Sequence, residues 1–329
     1  MTTENVDVLC IGATGQSGST LFSRMLGQLP GLVAVGETGR VWDKGLIENV
    51  ECGCSAPFRS CEFWTRVGDA AFGGWDAVDA QEATRLRDAL TLKGRMPHPF
   101  ALPLIRRPGL WRSYDEERRR YAELMERLLR GIHDVTDGAI IVDSMKQPAH
   151  VYMLSGMPSI DLKVVHLVRD SRGVAYSKTR WVERQGAIEG AYRVRRRPPK
   201  SGEKWIWMNL SFDLLARLGV PTATVRYETF VRTPAPELRR VAGLIGLHLD
   251  DSALGFIHDG EVELEPAHLA AGSRGRLESG RMSLRLDEEW RTKLPAAHRR
   301  VVSAMTWPLL RRYGYVGPHG VYAAGRPAP

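Results

Sequence analysis

Short apolar runs alternate with stretches of helical periodicity along most of this chain. A continuous apolar run of about four to eight residues predicts a strand buried on both faces, whereas apolar positions with a period near 3.6 predict a helix. The runs predict strands at 6–11, 32–35, 139–142, 162–168 and 222–227. The periodic stretches predict helices at 19–29, 80–92, 116–132, 171–185, 203–218 and 235–245. This alternation favours an α/β fold, with a mostly parallel sheet flanked by helices on both faces.

The spacing of these elements predicts the domain organisation. A chain of 329 residues that is 43% hydrophobic can form one large domain or two smaller ones. We predict a single α/β domain over residues 1–320, in which 40–135 is a largely helical insertion. The basic segment 192–204 contains a Pro-Pro pair and is predicted to be a mobile loop. The Gly-, Pro- and Ala-rich tail at 321–329 is predicted to be flexible.

Charge and hydropathy narrow the range of partners. The net charge of +8 arises from 46 basic and 38 acidic residues and suits an anionic ligand. No nucleic-acid recognition module is evident, and no run approaches the roughly 20 apolar residues of a membrane span. Residues 1–7 are short and polar and do not resemble a signal peptide. We therefore expect a cytoplasmic protein with no nucleic-acid partner and no membrane span.

A glycine-rich turn follows the first predicted strand. It reads Gly12-Ala13-Thr14-Gly15-Gln16-Ser17-Gly18-Ser19-Thr20 and leads directly into a helix. Such a turn directs successive backbone N–H groups and a helix N-terminus at one spot, which suits a phosphate or a sulfate. A Walker A loop requires a lysine before its final hydroxyl residue, and this turn has none. The turn therefore predicts an anion site without ordinary ATP chemistry.

A second candidate for anion binding lies after the strand at 162–168. Arg169 leaves that strand, and Ser177 follows two turns into the next helix. The two side chains can reach one anion, and the arginine fork suits a phosphate. The alternative is a solvated arginine at a helix start beside an ordinary helical serine.

These segments together resemble the bacterial branch of the sulfotransferase superfamily, which uses 3′-phosphoadenosine 5′-phosphosulfate (PAPS). The turn at 12–21 is similar to the family's 5′-phosphosulfate loop. Arg169 and Ser177 match its 3′-phosphate pair at the family's spacing. Other similar segments, in family order, are 141–148, 226–231, 272–276, 287–290 and 313–315.

The resemblance implies a P-loop-like sheet and in-line transfer of a sulfuryl group from PAPS, which leaves adenosine 3′,5′-bisphosphate. The acceptor would be a hydroxyl or amine of a small molecule, sugar or lipid. Residues 40–135, the segment between the shared motifs, would determine which acceptor binds. The cofactor-binding residues that the resemblance implies are Gly15, Gln16, Ser17, Gly18, Ser19, Thr20, Arg169, Ser177, Arg274 and Arg276. The sequence carries no signal for an oligomeric state.

The resemblance also suggests catalytic roles. Glu37, at the end of the second strand, is the preferred general base, because the carbohydrate-sulfating branch has a glutamate at a similar distance. Gln16 stands where the family usually has Lys or Arg; it can donate hydrogen bonds but carries no charge. Lys146 is expected to supply the missing cation. Three alternatives remain open: Glu37 as a surface glutamate, Glu37 as an ion-pair partner of Arg40, and His150 as the base.

Two further residues near these segments have simpler interpretations. His166 lies within a predicted buried strand, so we expect a core histidine. Asp143 ends the strand before Lys146 and is expected to orient that lysine. The basic run 193–197 is interpreted as a solvated loop, or alternatively as a segment that folds over an anion.

Two other functions compete with sulfuryl transfer. Residues 12–18 also resemble the loop of NAD(P)-binding short-chain dehydrogenases, although the chain lacks a Tyr-x-x-x-Lys pair and a clear ribose-binding acid. Gln16 in turn suits a nucleotide-binding sulfotransferase homologue with little activity.

Three of the four cysteines lie in one loop. Cys52, Cys54 and Cys61 are one ligand short of a closed zinc site unless a histidine joins them, whereas Cys10 lies in the first strand. A disulfide is disfavoured in a reducing cytosol. We interpret the cysteine loop as a structural element and predict no metal ligand.

Overall fold

Five parallel strands form the central sheet of the computed structural model, which describes residues 5–90, 98–107, 109, 112–179 and 197–317. Their spatial order is β2-β3-β1-β4-β5, and every neighbouring pair is parallel. The predicted mostly parallel sheet is therefore confirmed. The strands are β1 (Val6–Ala13), β2 (Leu32–Gly36), β3 (Ile140–Asp143), β4 (Ile160–Val168) and β5 (Thr222–Arg226).

Helices connect these strands and cover both faces of the sheet. They are α1 (Ser19–Leu26), α2 (Glu62–Phe72), α3 (Ala80–Leu90), α4 (His98–Ile105), α5 (Arg112–Val135), α6 (Pro148–Leu154), α7 (Ser171–Thr179), α8 (Pro198–Arg217), α9 (Tyr227–Arg232), α10 (Pro234–Leu244), α11 (Trp290–Lys293) and α12 (Ala296–Arg312). A π-helical segment spans Val41–Ile47. Within the described part of the chain, no helix is both long and apolar enough to span a bilayer.

Alternate side chains of β1 enter two separate cores. Val6, Val8 and Cys10 lie in a core formed with α2, α3, α5, α6 and α8. Leu9 and Ile11 lie in a second core with α1, α9 and α10. Because successive strand residues point to opposite faces, a strand that is apolar at every position must be covered on both sides.

The register brings the carboxyl ends of the strands level with one another. Ala13 of β1 aligns with Leu167 of β4, and Gly36 of β2 aligns with Asp143 of β3. Ligands of open α/β sheets bind at this edge. The residues that follow the strands, where the sequence placed its candidates, therefore lie along one edge.

A small antiparallel sheet was not predicted. Its strands, in spatial order, are β6 (Ile257–His258), β7 (Glu261–Leu264) and β8 (Gly280–Ser283). Buried residues of β7 join the core that contains α1.

The predicted mobile loop at 192–204 is wrong over 198–204, where α8 has already begun. Pro198 stands in the first turn of α8, where an N–H would have no helical partner, so proline starts the helix instead of breaking it. Residues 192–196, most of the basic run and the tail at 321–329 lie outside the described residues. The insertion at 40–135 contains α2, α3, α4 and α5.

Candidate active site

The turn between β1 and α1 has the shape of an anion-binding loop. Gln16 and Gly18 adopt left-handed backbone conformations, with φ of 75° and 77°. The first helical hydrogen bond runs from the Phe22 N–H to the Gly18 carbonyl at 3.1 Å, so the N–H groups before Phe22 lack partners within the helix. The positive end of the α1 dipole lies at the same place.

The side chains of residues 14–20, called the first loop from here on, divide into buried and accessible ones. Ser17 is fully buried, and its hydroxyl shares a hydrogen bond of 2.8 Å with that of Thr14. Its backbone N–H is therefore the group of Ser17 that can serve a ligand. Thr20 is half-buried, and a Cβ added at Gly15 would meet no atom within 4 Å. Space is open over Gly15, where a ligand can approach the backbone.

Arg169 lies beside the first loop. Its Nη1 donates to the Gln16 carbonyl at 2.9 Å, and its guanidinium stands over the Tyr227 ring at 4.7 Å from the centroid. Its Nη2 donates to Asp287 Oδ2 at 2.9 Å. The sequence placed Asp287 in a segment similar to the family but did not identify it as the carboxylate that occupies part of the Arg169 fork.

Ser177 lies on the side of α7 that Arg169 contacts. The Arg169 Nε is 3.2 Å from the position that a Cβ would take at Gly173. Gly173 and Ser177 are four residues apart on the helix and therefore share a face. Ser177, which is half-buried, is thus on the face that the guanidinium follows.

A late loop, residues 272–278, closes against α1. The Ser273 hydroxyl donates to Thr20 Oγ1 at 2.9 Å. The buried guanidinium of Arg24 donates to the carbonyls of Gly275 at 2.9 Å and Glu265 at 2.8 Å, and also to that of Glu278. Burial lowers the pKa of Arg24. Sequence reasoning did not identify Arg24, which ties the late loop to the helix that follows the first loop.

The two arginines predicted to clamp the nucleotide differ in their surroundings. Arg276 is buried and donates to the Glu51 carbonyl from Nη2 at 3.1 Å, so it fixes the late loop to the segment before the cysteine loop. Burial lowers the pKa of Arg276. Arg274 is exposed. Of the two, Arg274 is the cation that solvent, and therefore a ligand, can reach.

Glu37 and Lys146, two of the predicted catalytic residues, form an ion pair. The Lys146 Nζ is 2.5 Å from Glu37 Oε1, and each side chain is 20% exposed. Arg40 pairs instead with Asp43 at 2.7 Å, so the alternative that Glu37 serves as the partner of Arg40 is wrong. The end of β2 thus supplies a carboxylate and the end of β3 a cation at one point.

Asp143 holds the ends of two neighbouring strands together. It accepts hydrogen bonds from the Thr38 N–H at 3.2 Å and the Met145 N–H at 2.8 Å, and also from the Thr38 hydroxyl. These partners are the chain neighbours of Glu37 and Lys146, so the expected orientation of Lys146 by Asp143 stays a prediction and would act through the backbone. Asp143 shapes the turns that carry Glu37 and Lys146.

The two histidines near the site belong to the core. His150 is fully buried, with Nδ1 3.3 Å from the Tyr121 hydroxyl, so it cannot reach an acceptor as the alternative base would. His166 is bonded through Nε2 to Asn209 Oδ1 at 2.9 Å, and burial lowers its pKa to about 4. The prediction of a core histidine at 166 is confirmed.

The strand order excludes one of the competing functions. In the dinucleotide-binding fold the first strand pairs with the second. Here β1 pairs with β3 and β4, while β2 lies beyond β3. The short-chain dehydrogenase alternative is therefore wrong at the level of topology. The fold and site define an α/β protein whose first strand is followed by a turn with the shape of an anion-binding loop.

No protein-family model and no curated protein matches this sequence. Among solved structures, the chain is similar to the sulfotransferase domain from the Synechococcus PCC 7002 olefin synthase (18% identity, TM-score 0.48, covering 94% of this chain and 96% of that one). It is also similar to the sulfotransferase domain from the curacin biosynthetic pathway (14% identity, TM-score 0.45, covering 92% of this chain and 99% of that one). A third similar structure is sulfotransferase STF1 from Mycobacterium tuberculosis H37Rv (12% identity, TM-score 0.42, covering 77% of this chain and 70% of that one).

Proposed function

We propose that this protein is a sulfotransferase that moves the sulfuryl group of PAPS to a hydroxyl or amine of a small-molecule, sugar or lipid acceptor. The observation that carries the proposal is the convergence of distant segments on the first loop. Arg169 contacts Gln16 at 2.9 Å, and Ser273 of the late loop contacts Thr20 at 2.9 Å. The family resemblance assigns the first loop to the 5′-phosphosulfate, Arg169 to the 3′-phosphate and the late loop to closure over the nucleotide.

The donor groups at the site suit a ligand with two separate anionic groups. Backbone N–H groups of the first loop, with the Thr20 hydroxyl, would hold the 5′-phosphosulfate. Arg169 and Ser177 would hold the 3′-phosphate, and exposed Arg274 would reach the nucleotide from the late loop. Arg276 is occupied by a backbone carbonyl and would position that loop instead.

The chain's own residues account for the transfer. PAPS, when bound, supplies the sulfuryl group. Glu37 would take the proton that the acceptor oxygen or nitrogen loses as it bonds to sulfur, while the bond from sulfur to the 5′-phosphate oxygen would break and release adenosine 3′,5′-bisphosphate. Lys146 orients the Glu37 carboxylate through their ion pair and provides positive charge where Gln16 brings none. The Gln16 side-chain amide can donate a hydrogen bond to the same charge.

Nucleotide binding tests the proposal directly. Calorimetry should detect binding of adenosine 3′,5′-bisphosphate, weaker binding of adenosine 5′-phosphate and no binding of NADPH. Arg169→Ala should weaken bisphosphate binding at least about tenfold, the effect of losing a charge-assisted hydrogen bond. Arg281→Ala, which removes an arginine that is 63% exposed on β8, is the control. Equal affinity for the two adenosine nucleotides would contradict the assignment of Arg169.

Substitution of Asp287 tests the same assignment through an expected gain, and not a loss, of nucleotide affinity. Because its carboxylate shares Arg169 with the proposed 3′-phosphate, the two anions repel each other there. Asp287→Asn should therefore tighten the binding of adenosine 3′,5′-bisphosphate and leave that of adenosine 5′-phosphate unchanged.

Gln16 favours a second candidate, a nucleotide-binding homologue with little transfer activity. Labelled PAPS and a panel of alcohols, sugars and amines distinguish the two functions, because a binder yields no labelled acceptor. If the missing cation limits turnover, Gln16→Lys should raise the transfer rate without tightening bisphosphate binding to the same degree.

A further inference from the structure

Four side chains with metal-ligating atoms meet outside the nucleotide site. Cys52, Cys54 and Cys61 lie in the loop before α2, and His268 comes from the segment that leads to the late loop. Their sulfur and nitrogen atoms all lie within 4.8 Å of one another. The fold thus supplies the histidine that the three cysteines lacked in the sequence.

Four of the six distances within the cluster are close to those of a tetrahedral zinc site, and no two ligand atoms lie more than 4.8 Å apart. Zn–S bonds of about 2.3 Å and Zn–N bonds of about 2.0–2.1 Å place tetrahedral sulfurs about 3.8 Å apart, and sulfur about 3.5 Å from nitrogen. Cys61 Sγ lies 3.7 Å from Cys52 Sγ and 3.6 Å from Cys54 Sγ. His268 Nδ1 lies 3.3 Å from Cys61 Sγ and 3.9 Å from Cys52 Sγ. A disulfide, with an S–S bond of about 2.05 Å, would join only two of these four groups.

Two of the four ligands are buried, whereas Cys54 and His268 are half-buried. Cys52 and Cys61 are 0% and 1% exposed. The Phe63 ring stacks on the His268 ring at 4.9 Å, and the Trp64 indole N–H donates to the His268 carbonyl at 3.0 Å. An aromatic ring and a backbone hydrogen bond thus fix the orientation of the histidine.

We propose that Cys52, Cys54, Cys61 and His268 bind one Zn²⁺ ion as a structural site. Four protein ligands leave no position open for a substrate, which is typical of structural and not catalytic zinc. Three thiols lose their protons to solvent when the ion binds, while the imidazole coordinates in its neutral form.

The site would join two segments more than 200 residues apart. Next to the cluster, the Gly53 N–H donates to the Leu269 carbonyl at 3.2 Å. Further along, Arg276 of the late loop reaches back to the Glu51 carbonyl at 3.1 Å. The ion would therefore fix the base of the late loop, whether or not that loop closes over a nucleotide.

Elemental analysis of the full-length protein, purified without a polyhistidine tag or chelator, tests the proposal. We expect about one zinc per chain in the wild type, retention in Cys10→Ala and loss in Cys61→Ala. Cys10 is the matched control because it is a buried cysteine in β1, outside the cluster. In His268→Ala, a competing chelator should remove zinc at a concentration at least about tenfold lower than in the wild type.

Two measurements on the wild type keep the test independent of whether the variants fold. Co²⁺ should replace Zn²⁺ and give the visible absorption of a tetrahedral cobalt–thiolate site. Removal of zinc should increase hydrogen exchange in 51–61 and 265–276 before it does so in β1. A folded protein that takes up neither ion overturns the proposed site. Loss of zinc with unchanged exchange in both segments overturns its structural role. Neither measurement involves a nucleotide, so failure here is distinct from failure of the proposed sulfuryl transfer.

Discussion

The ion pair between Glu37 and Lys146 offers the sharpest test of how the proposed site works. Lys146 would act either only through Glu37, by orienting its carboxylate, or also by itself, by stabilising charge on the leaving group. If Lys146 only orients Glu37, its removal matters through the base alone. If Lys146 also stabilises charge on the leaving group, it contributes independently. The variants Glu37→Gln and Lys146→Met, together with the double variant, distinguish these possibilities in a double-mutant cycle.

The structure sets the size of the expected effects. At 2.5 Å, Coulomb's law gives about 1.7 kcal/mol at the dielectric constant of water, and more in the protein interior. Desolvation offsets part of this gain, because each side chain is only 20% exposed. We expect a coupling of about 1 kcal/mol in the free energy of unfolding. The exposed pair of Arg119 and Glu123, one helical turn apart in α5, is the control and should show at most about 0.5 kcal/mol.

Steady-state kinetics with labelled PAPS then measures the catalytic roles. Loss of a general base should lower kcat by about 10²–10⁴ in Glu37→Gln and leave the affinity for adenosine 3′,5′-bisphosphate unchanged. We expect the double variant to be slower than either single variant, because Lys146 also replaces the cation that Gln16 lacks. A double variant no slower than Glu37→Gln would show that Lys146 acts only through the base. Wild-type turnover in Glu37→Gln would refute the assignment of the base.

Three further perturbations test the architecture around the site. Arg24→Met should lower the free energy of unfolding by about 2–4 kcal/mol in urea titrations, because it leaves late-loop carbonyls without their donor. The control Arg281→Ala, at an exposed arginine, should change the free energy of unfolding by less than about 0.5 kcal/mol. Gly18→Ala should lower the free energy of unfolding by about 3 kcal/mol, because φ at Gly18 is +77° and the new Cβ would lie 2.5 Å from a tyrosine ring. Gly15→Ala is the control: its Cβ would meet nothing within 4 Å, so it should leave the free energy of unfolding nearly unchanged. Burial lowers the pKa of His166 to about 4, compared with about 6.5 in the unfolded chain, so the unfolded chain takes up a proton first as the pH falls. The free energy of unfolding should therefore fall by about 2 kcal/mol from pH 7 to pH 5. His166→Gln should lose that part of the pH dependence.

The central sheet could be predicted from the sequence because each parallel strand is buried on both faces. The apolar run at 162–168, for example, lies within β4, which is buried over most of its length. The helix α12 has no such signal. Its buried positions include Val302 and Thr306, whereas Val301, Met305 and Trp307 are exposed, so apolar residues do not mark one face. Strands β6, β7 and β8 have two to four residues each and are too short for any periodicity to be visible.

Part of the candidate site was predictable for the same reason. Parallel strands bring their carboxyl ends to one edge, so Glu37 and Arg169 could be placed there from the strands that precede them. Their partners follow less directly from the sequence. Lys146 pairs with Glu37 from the next strand end along the sheet, as the topology allows. Asp287 follows no strand of the main sheet and reaches Arg169 from 118 residues further along the chain.

The late loop shows why the remaining contacts could not be predicted. It is held by Arg24 through the carbonyls of Gly275 and Glu265, and by Arg276 through the carbonyl of Glu51. Every residue has a backbone carbonyl, so the identity of the acceptor leaves no trace in the sequence. The cysteine cluster is the exception, because its ligands must be particular side chains. Three of them lie within ten residues and are visible as a motif, whereas His268 is separated from them by more than 200 residues and is joined to them only by the fold.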